Sequence, residues 1–159
     1  MTQRFTPSLL DRLLDDPDAG STGWTLEQLK DAVACDLEDL LNTRTAISPE
    51  TLADYPAVRS SLINYGLIDF SAMCLTSDKD RKTICAAVLK AIEEHEPRLC
   101  EVTAGLRVKT GAESRVDFVI SGMLKTVSRT EPVYFDAVLQ ASTHRYSVSQ
   151  TGAQKTSGA

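Results

Sequence analysis

The chain has 159 residues, of which 42% are hydrophobic and 25% are charged, and its formal net charge is −5. This length and composition predict one domain that is large enough to bury a core. The acidic balance, with no local cluster of Lys and Arg, argues against binding to nucleic acid or to an anionic membrane.

Residues 1–24 form a separate N-terminal segment. Pro7 suits the first turn of a helix, and apolar residues then recur at helical spacing up to Leu14. The stretch from Asp16 to Gly20 breaks the helix. A helix this short is marginal on its own, so we expect the segment to dock on the body of the protein or on a partner.

The next helix has strong start signals. Thr25 and Gln28 have the spacing of a capping box, and Trp24 can pack against Leu29 as a hydrophobic staple. The helix should end near residue 43. Its apolar stripe consists of Leu26, Leu29, Val33, Leu37, Leu40 and Leu41. We interpret Trp24, the only tryptophan, as a packing residue.

Short helices follow, before one long helix. Ser48 and Pro49 start a turn that the next proline interrupts. Apolar residues between 58 and 65 predict a further short helix that stops at Gly66, where glycine tolerates a left-handed conformation. The long helix should cover residues 79–95 and end there, because Pro97 disfavours the α region for the residue before it.

After Pro97 the periodicity of the apolar residues changes from about 3.6 to 2, which predicts strands. Three strands are indicated, and residues 144–148 could add a short edge strand. Their short connections favour an antiparallel meander. The predicted fold class is therefore α+β, with N-terminal helices packed on a short, mainly antiparallel sheet of three to four strands. This single domain should span residues 25–148, and residues 149–159 should form a disordered tail.

The junction of helices and strands carries Glu96, Pro97 and Arg98. One interpretation is a helix end with two solvated charges, which would contribute roughly 0–1 kcal/mol. Another is a fixed polar tip, because Pro97 restrains the backbone between two opposite charges. The spacing alone does not separate these interpretations.

Enzymatic signals are weak. The sequence has no glycine-rich phosphate loop, no H-E-x-x-H and no G-x-S-x-G. His95 lies on an apolar helix face and is more typical of a satisfied boundary residue than of a base. Glu93, Glu94 and Glu96 form the only dense carboxylate cluster, and two of them could serve as acid and base on a glycan. We expect no catalytic residues, no metal and no cofactor, with a lysozyme-like peptidoglycan hydrolase that uses these carboxylates as the alternative.

The cysteines and the N-terminus indicate the compartment. Four widely spaced cysteines without a C-x-x-C pair do not make a disulfide scaffold in a chain of this length. The N-terminus has no apolar region of a secretory signal, and the apolar runs are too short to span a bilayer. A reduced cytoplasmic location fits best.

Five stretches of the sequence carry a family resemblance: RFTPSLLDRL at residues 4–13, DLEDLLNTR at 36–44, YPAV at 55–58, SLINYGL at 61–67 and EPRL at 96–99. In this order they resemble the TssE family of small baseplate subunits of bacterial type VI secretion systems. That family is related to the lysozyme-like small wedge protein of contractile phage-tail baseplates. The resemblance covers roughly residues 4–140, and the last stretch is the signature of the family.

The resemblance implies a non-enzymatic assembly protein, located at the cytoplasmic side of the inner membrane as part of a docked baseplate. Glu96, Pro97 and Arg98 would then form a contact motif for other wedge subunits (TssF-, TssG- and TssK-like). The strands resemble those of sheath subunits, so a sheet edge could accept a strand from the first ring of TssB/TssC-like subunits. The hub or spike protein is a further expected partner. In a competing structural account, Glu96 and Arg98 pair with each other or with residues 42–44.

Overall fold

The structure is a computed structural model. It describes residues 4–14, 23–59, 61–70, 73, 77–109, 115–140, 143 and 145–151. The helices are α1 (Leu9–Leu14), α2 (Leu26–Asn42), α3 (Pro49–Ala53) and α4 (Asp78–His95), with 3-10 turns at Pro56–Val58 and Leu62–Asn64. The strands are β1 (Leu99–Lys109), β2 (Arg115–Lys125), β3 (Thr130–Gln140) and β4 (Arg145–Gln150).

The four strands form one antiparallel meander in the order β1-β2-β3-β4. Helix α4 packs against β1, and α2 packs mainly against β4. Their buried faces meet one face of the sheet in a single core. The fully buried members include Leu37 of α2, Ile92 of α4, Phe118 of β2 and Phe135 of β3. The predicted α+β class is therefore confirmed.

The helix boundaries follow the predicted capping signals. The Thr25 side chain accepts a hydrogen bond from the Gln28 backbone N–H, and the Gln28 side chain bonds back to the Thr25 N–H, which completes the capping box. Ser48 caps α3 with Pro49 in its first turn. Helix α4 ends at His95, two residues before Pro97, as its ring requires.

The described part of the N-terminal segment contacts the body. Phe5 and Trp24 exchange backbone hydrogen bonds of 2.8 and 2.7 Å as an isolated antiparallel bridge. Phe5 is buried and Trp24 packs against the same core, so the packing role predicted for Trp24 is confirmed. Residues 15–22, where the helix break was predicted, lie outside the described part of the chain.

The region between α3 and Gly66 differs from the prediction. Instead of one short helix, two 3-10 turns form, and Leu62 and Ile63 point into solvent. The chain does turn at Gly66, with φ at +116°, and a Cβ there would lie 2.7 Å from the Thr43 carbonyl oxygen. The spacing of the apolar residues predicted a buried helix face here, but Leu62 and Ile63 do not pack against the core.

Strand β1 does not alternate strictly. A bulge lies between Cys100 and Thr103, and Glu101 within it has φ at +51°. As a result Leu99 and Val102 are both buried, although alternation assigned them to opposite faces. The bulge re-aims the start of β1 without breaking its pairing with β2.

The fourth strand is present at the edge where it was predicted. It runs to Gln150, two residues beyond the expected domain boundary at 148. Residues 152–159, most of the predicted tail, lie outside the described residues. Within the described residues no helix is long and apolar enough to cross a membrane.

Candidate partner-binding site

Glu96 and Arg98 form a bidentate ion pair at the end of α4. The Arg98 Nε and Nη2 atoms donate to the two carboxylate oxygens of Glu96 at 2.6 and 2.5 Å. The Arg98 backbone N–H donates to Oε1 of the same carboxylate at 3.2 Å. Only 4% of Glu96 is exposed. The geometry is the strong, planar type of carboxylate–guanidinium pair.

Asp36 of α2 extends this pair into a triad. The Arg98 Nη2 atom donates to Asp36 Oδ2 in a short contact, so the guanidinium links the end of α4 to α2. The hydrogen bond to Glu96 raises the pKa of Arg98, which keeps it charged. Desolvation raises the pKa of Asp36, and the hydrogen bond from Arg98 opposes that shift. One cation therefore holds two carboxylates of very different exposure.

The interpretation of Glu96 as a solvated charge is wrong. Its carboxylate is buried, and Arg98 is only 25% exposed at its side chain. The two residues pair with each other, as the structural account expected, but their helical partner is Asp36 instead of residues 42–44.

Pro97 is the exposed point of the tip, which we define as residues 96–98. The Pro97 carbonyl accepts a hydrogen bond from Lys125 Nζ at 3.3 Å, and the Arg98 carbonyl accepts one from the Lys125 backbone N–H at 2.8 Å. The tip is thus fixed to β2 as well as to α2. Among the described residues, no group bonds the Nη1 atom of Arg98, so this end of the guanidinium can meet an outside acceptor.

The carboxylates of the alternative hydrolase have three different environments. Glu93 is exposed, Glu94 accepts a hydrogen bond from the Asn64 side chain at 3.1 Å, and Glu96 is engaged with Arg98. His95 lies 3.2 Å from the Asn64 carbonyl oxygen and edge-on to the Tyr65 ring. His95 is therefore a satisfied boundary residue, as predicted.

The outer edge of β4 is closed by side chains of α2. Asn42 accepts from the Tyr146 N–H and donates to the Tyr146 carbonyl, both at 2.8 Å. Glu38 accepts from the Val148 N–H at 2.8 Å. Three backbone groups that would otherwise face solvent or another chain are thereby satisfied.

The outward backbone groups at the outer edge of β1, unlike those of β4, are not bonded by side chains of the described residues. Val148, Ala137, Phe118 and Leu106 are opposite one another in a row across the sheet. Because hydrogen-bonded and non-bonded pairs alternate in antiparallel sheets, the outward N–H of Val148 implies that Leu106 also faces outward. The same argument applies to Ala104. Within the part of the chain that the structure describes, no group bonds this stretch of the β1 edge.

Asp36, Glu38 and Asn42 were missed as site residues in the sequence. In the sequence they look like ordinary polar residues of a helix, because the residues that they bond are 62 to 110 positions away in the chain. All three residues do fall within the second matching stretch, residues 36–44. That stretch was the only sequence signal that could have singled them out.

A family model described as baseplate wedge protein gp25 matches residues 27–129, well over half of the sequence. This match gives the chain a structural role of the phage-baseplate type. The chain therefore belongs to this family, which includes TssE. Searches of curated proteins and of solved structures found no match. The matched region contains the tip, α4, the first two strands and all of α2 except its first residue.

Proposed function

We propose that this protein is a type VI secretion baseplate subunit that binds other wedge subunits through Glu96, Pro97 and Arg98. It also starts polymerisation of the contractile sheath. The observation that carries the proposal is the construction of the tip, in which an exposed proline is held by a buried ion pair. Its setting is a baseplate docked at the cytoplasmic side of the inner membrane, with TssF-, TssG- and TssK-like neighbours.

The tip is suited to rigid recognition. Pro97 loses little conformational entropy on binding because its backbone is already restrained. The Nη1 edge of Arg98 can donate to a partner carboxylate or to the last carbonyls of a partner helix. Glu96 and Asp36 fix the plane of the guanidinium in advance, so the partner meets a pre-oriented donor.

The sheath is proposed to start at β1. A strand added to an open sheet edge gains backbone hydrogen bonds without new side-chain chemistry. Ala104 and Leu106 turn their backbone groups outward there, whereas β4 is closed by α2. We therefore assign the incoming strand of a TssB/TssC-like subunit to β1.

The tip is tested by Pro97→Glu, measured for affinity to purified wedge subunits and for melting temperature. The new carboxylate repels a partner carboxylate that approaches Arg98, so affinity should fall at least about tenfold. Melting should change by no more than about 2 °C, because Pro97 is exposed. The matched control is Pro132→Glu, the same change at an exposed position on β3. Equal affinity of both variants and the wild type would contradict the proposal.

A structural role, without hydrolase activity, is part of the same proposal. Purified protein incubated with peptidoglycan should release no soluble fragments. Release that disappears in Glu93→Gln with Glu94→Gln would instead favour the lysozyme-like alternative. That pair leaves the Glu96 ion pair intact, so a loss could not be attributed to damage at the tip.

A further inference from the structure

A cavity of about 230 Å³ opens between α4 and the segment that runs from α3 to Gly66. Its floor is apolar and includes Ile47, Leu52, Ile68 and Ala91. Leu52 and Ala91 are buried, whereas the other two are partly exposed. We call this cavity the groove; it is large enough to receive one or two side chains.

The polar wall of the groove is pre-formed by Asn64. Its side-chain NH2 donates to the Arg59 carbonyl at 2.7 Å and to the Glu94 carboxylate at 3.1 Å. The backbone carbonyl oxygen of Asn64 lies 3.2 Å from His95 Nε2. These bonds engage one oxygen of Glu94, the carboxylate that lines the groove, and fix the segment to α4.

Two cations line the same groove. Arg59 and Lys90 are both exposed, and neither forms an ion pair with a described residue. Against the single carboxylate of Glu94, they leave the rim with an excess of positive charge. The protein as a whole carries −5, so this local reversal of sign favours an acidic ligand.

Exposed apolar side chains lie on the segment that forms one wall of the groove. Leu62 is 88% exposed, Ile63 is 60% exposed and Tyr55 is 62% exposed. All three come from the short segment that forms one wall. Apolar residues concentrated beside a concave site are typical of surfaces that another protein covers.

The groove is continuous with the tip. His95, a residue of the groove, immediately precedes Glu96, and its ring packs edge-on against Tyr65 at 5.2 Å. The Tyr65 hydroxyl donates to the Asp36 carbonyl at 3.5 Å, and the Asp36 side chain bonds Arg98. A partner bound at the tip would therefore have its adjoining segment directly beside the groove.

We propose that the groove binds an acidic, amphipathic segment of the same wedge subunit that contacts the tip. Apolar side chains of that segment would enter the groove and cover Leu62 and Ile63, while its carboxylates would pair with Arg59 and Lys90. This inference rests on the proposed function, since it assumes a wedge partner. It adds a second anchor, so a single partner would be held at two adjacent points.

The test compares two double charge reversals in binding to the purified wedge subunits. Arg59→Glu with Lys90→Glu should raise the Kd at least about tenfold. Lys79→Glu with Lys82→Glu makes the same change of charge at exposed positions on α4 but outside the groove, and should change the Kd less than about twofold. Lys79 and Lys82 lie in the first turns of α4, where the helix dipole favours carboxylates, so the two new glutamates should not destabilise the helix. Melting temperatures of both variants show whether each is folded.

A third variant separates the apolar contact from the charge. Leu62→Ser with Ile63→Ser should weaken binding by a similar factor without lowering the melting temperature, because both side chains are exposed. The wild-type affinity should also fall with added salt more steeply than that of the Arg59/Lys90 variant. Equal salt slopes would show that these cations do not meet partner carboxylates.

The outcomes separate the two proposals. Wild-type protein that fails to bind any wedge subunit overturns the proposed function. Wild-type binding that Pro97→Glu weakens but all groove variants retain overturns only this inference. Binding to a second copy of this chain, detected by light scattering and lost in the groove variants, also overturns it, because the occupant would then be another molecule.

Discussion

The two edges of the sheet are built differently although they belong to the same meander. At β4, Asn42 and Glu38 bond three outward backbone groups of a six-residue strand. At β1, an 11-residue strand leaves Ala104 and Leu106 without such bonds among the described residues. An open edge of this length is an aggregation hazard in an isolated protein.

The contrast shows that edge protection in this fold is local and depends on single side chains. The polar residues of α2 close the nearer edge, whereas α4 packs against β1 but, among the described residues, forms no hydrogen bond with the outward groups of Ala104 and Leu106. Strand β1 also begins directly after the tip, at Leu99. Substitutions at the tip and at the closed edge of β4 should therefore change stability more than a substitution at the open edge of β1.

The largest effect is expected from Arg98→Ala. It leaves the buried Glu96 carboxylate without its partner and detaches the tip from α2, so the free energy of unfolding should fall by about 3 kcal/mol. Chemical denaturation measures this loss. The double variant Glu96→Gln with Arg98→Ala should recover part of it, because the uncompensated charge is gone. A loss below about 0.5 kcal/mol would mean that the pair is solvated.

Asn42→Ala should have the next largest effect. It removes three hydrogen bonds, two of them to the edge of β4, and leaves the backbone groups of the buried Tyr146 unsatisfied. The expected loss is about 2 kcal/mol in the free energy of unfolding. Asn42→Asp keeps the acceptor for the Tyr146 N–H and should lose less. Faster hydrogen exchange confined to β4 would support the edge-closing role, and an unchanged exchange rate there would contradict it.

Asp36→Ala should have a small effect on stability. Its side chain is 52% exposed, and its partner Arg98 keeps the bidentate bonds to Glu96. We expect a loss of about 0.5 kcal/mol in a denaturation experiment. A loss as large as that of Arg98→Ala would show that the link to α2, and not the pair with Glu96, is what stabilises the tip.

Much of the fold could be predicted because its signals are local. Capping at Thr25, the stop before Pro97 and the change to alternating residues all act within a few positions. The exposure of Leu62 could not be predicted in this way. Apolar residues at suitable spacing look the same whether they face a core or a partner.

The signature residues indicated where the candidate site lies, but the sequence did not predict which contacts hold these residues in place. Sequence placed Glu96 and Arg98 together, but it indicated neither the burial of Glu96 nor the bond from Arg98 to Asp36, which is 62 residues away. The meander already indicated which strands are outermost, but the difference between the two edges was inaccessible, because it follows from where Glu38 and Asn42 lie against β4. Pairings between residues that are far apart in the chain produce no periodic pattern in the sequence.

The most direct test of the open edge is Ala104→Pro, assayed for sheath polymerisation on assembled baseplates and for melting. Proline removes the outward N–H of Ala104 but keeps the bonds between β1 and β2, so stability should change by less than about 1 kcal/mol. Gly105→Pro is the control, since it removes an inward ladder bond and should destabilise the fold by roughly 3 kcal/mol. We predict that Ala104→Pro melts normally and no longer supports sheath growth. Normal melting with sheath growth at the wild-type rate would contradict strand addition at β1.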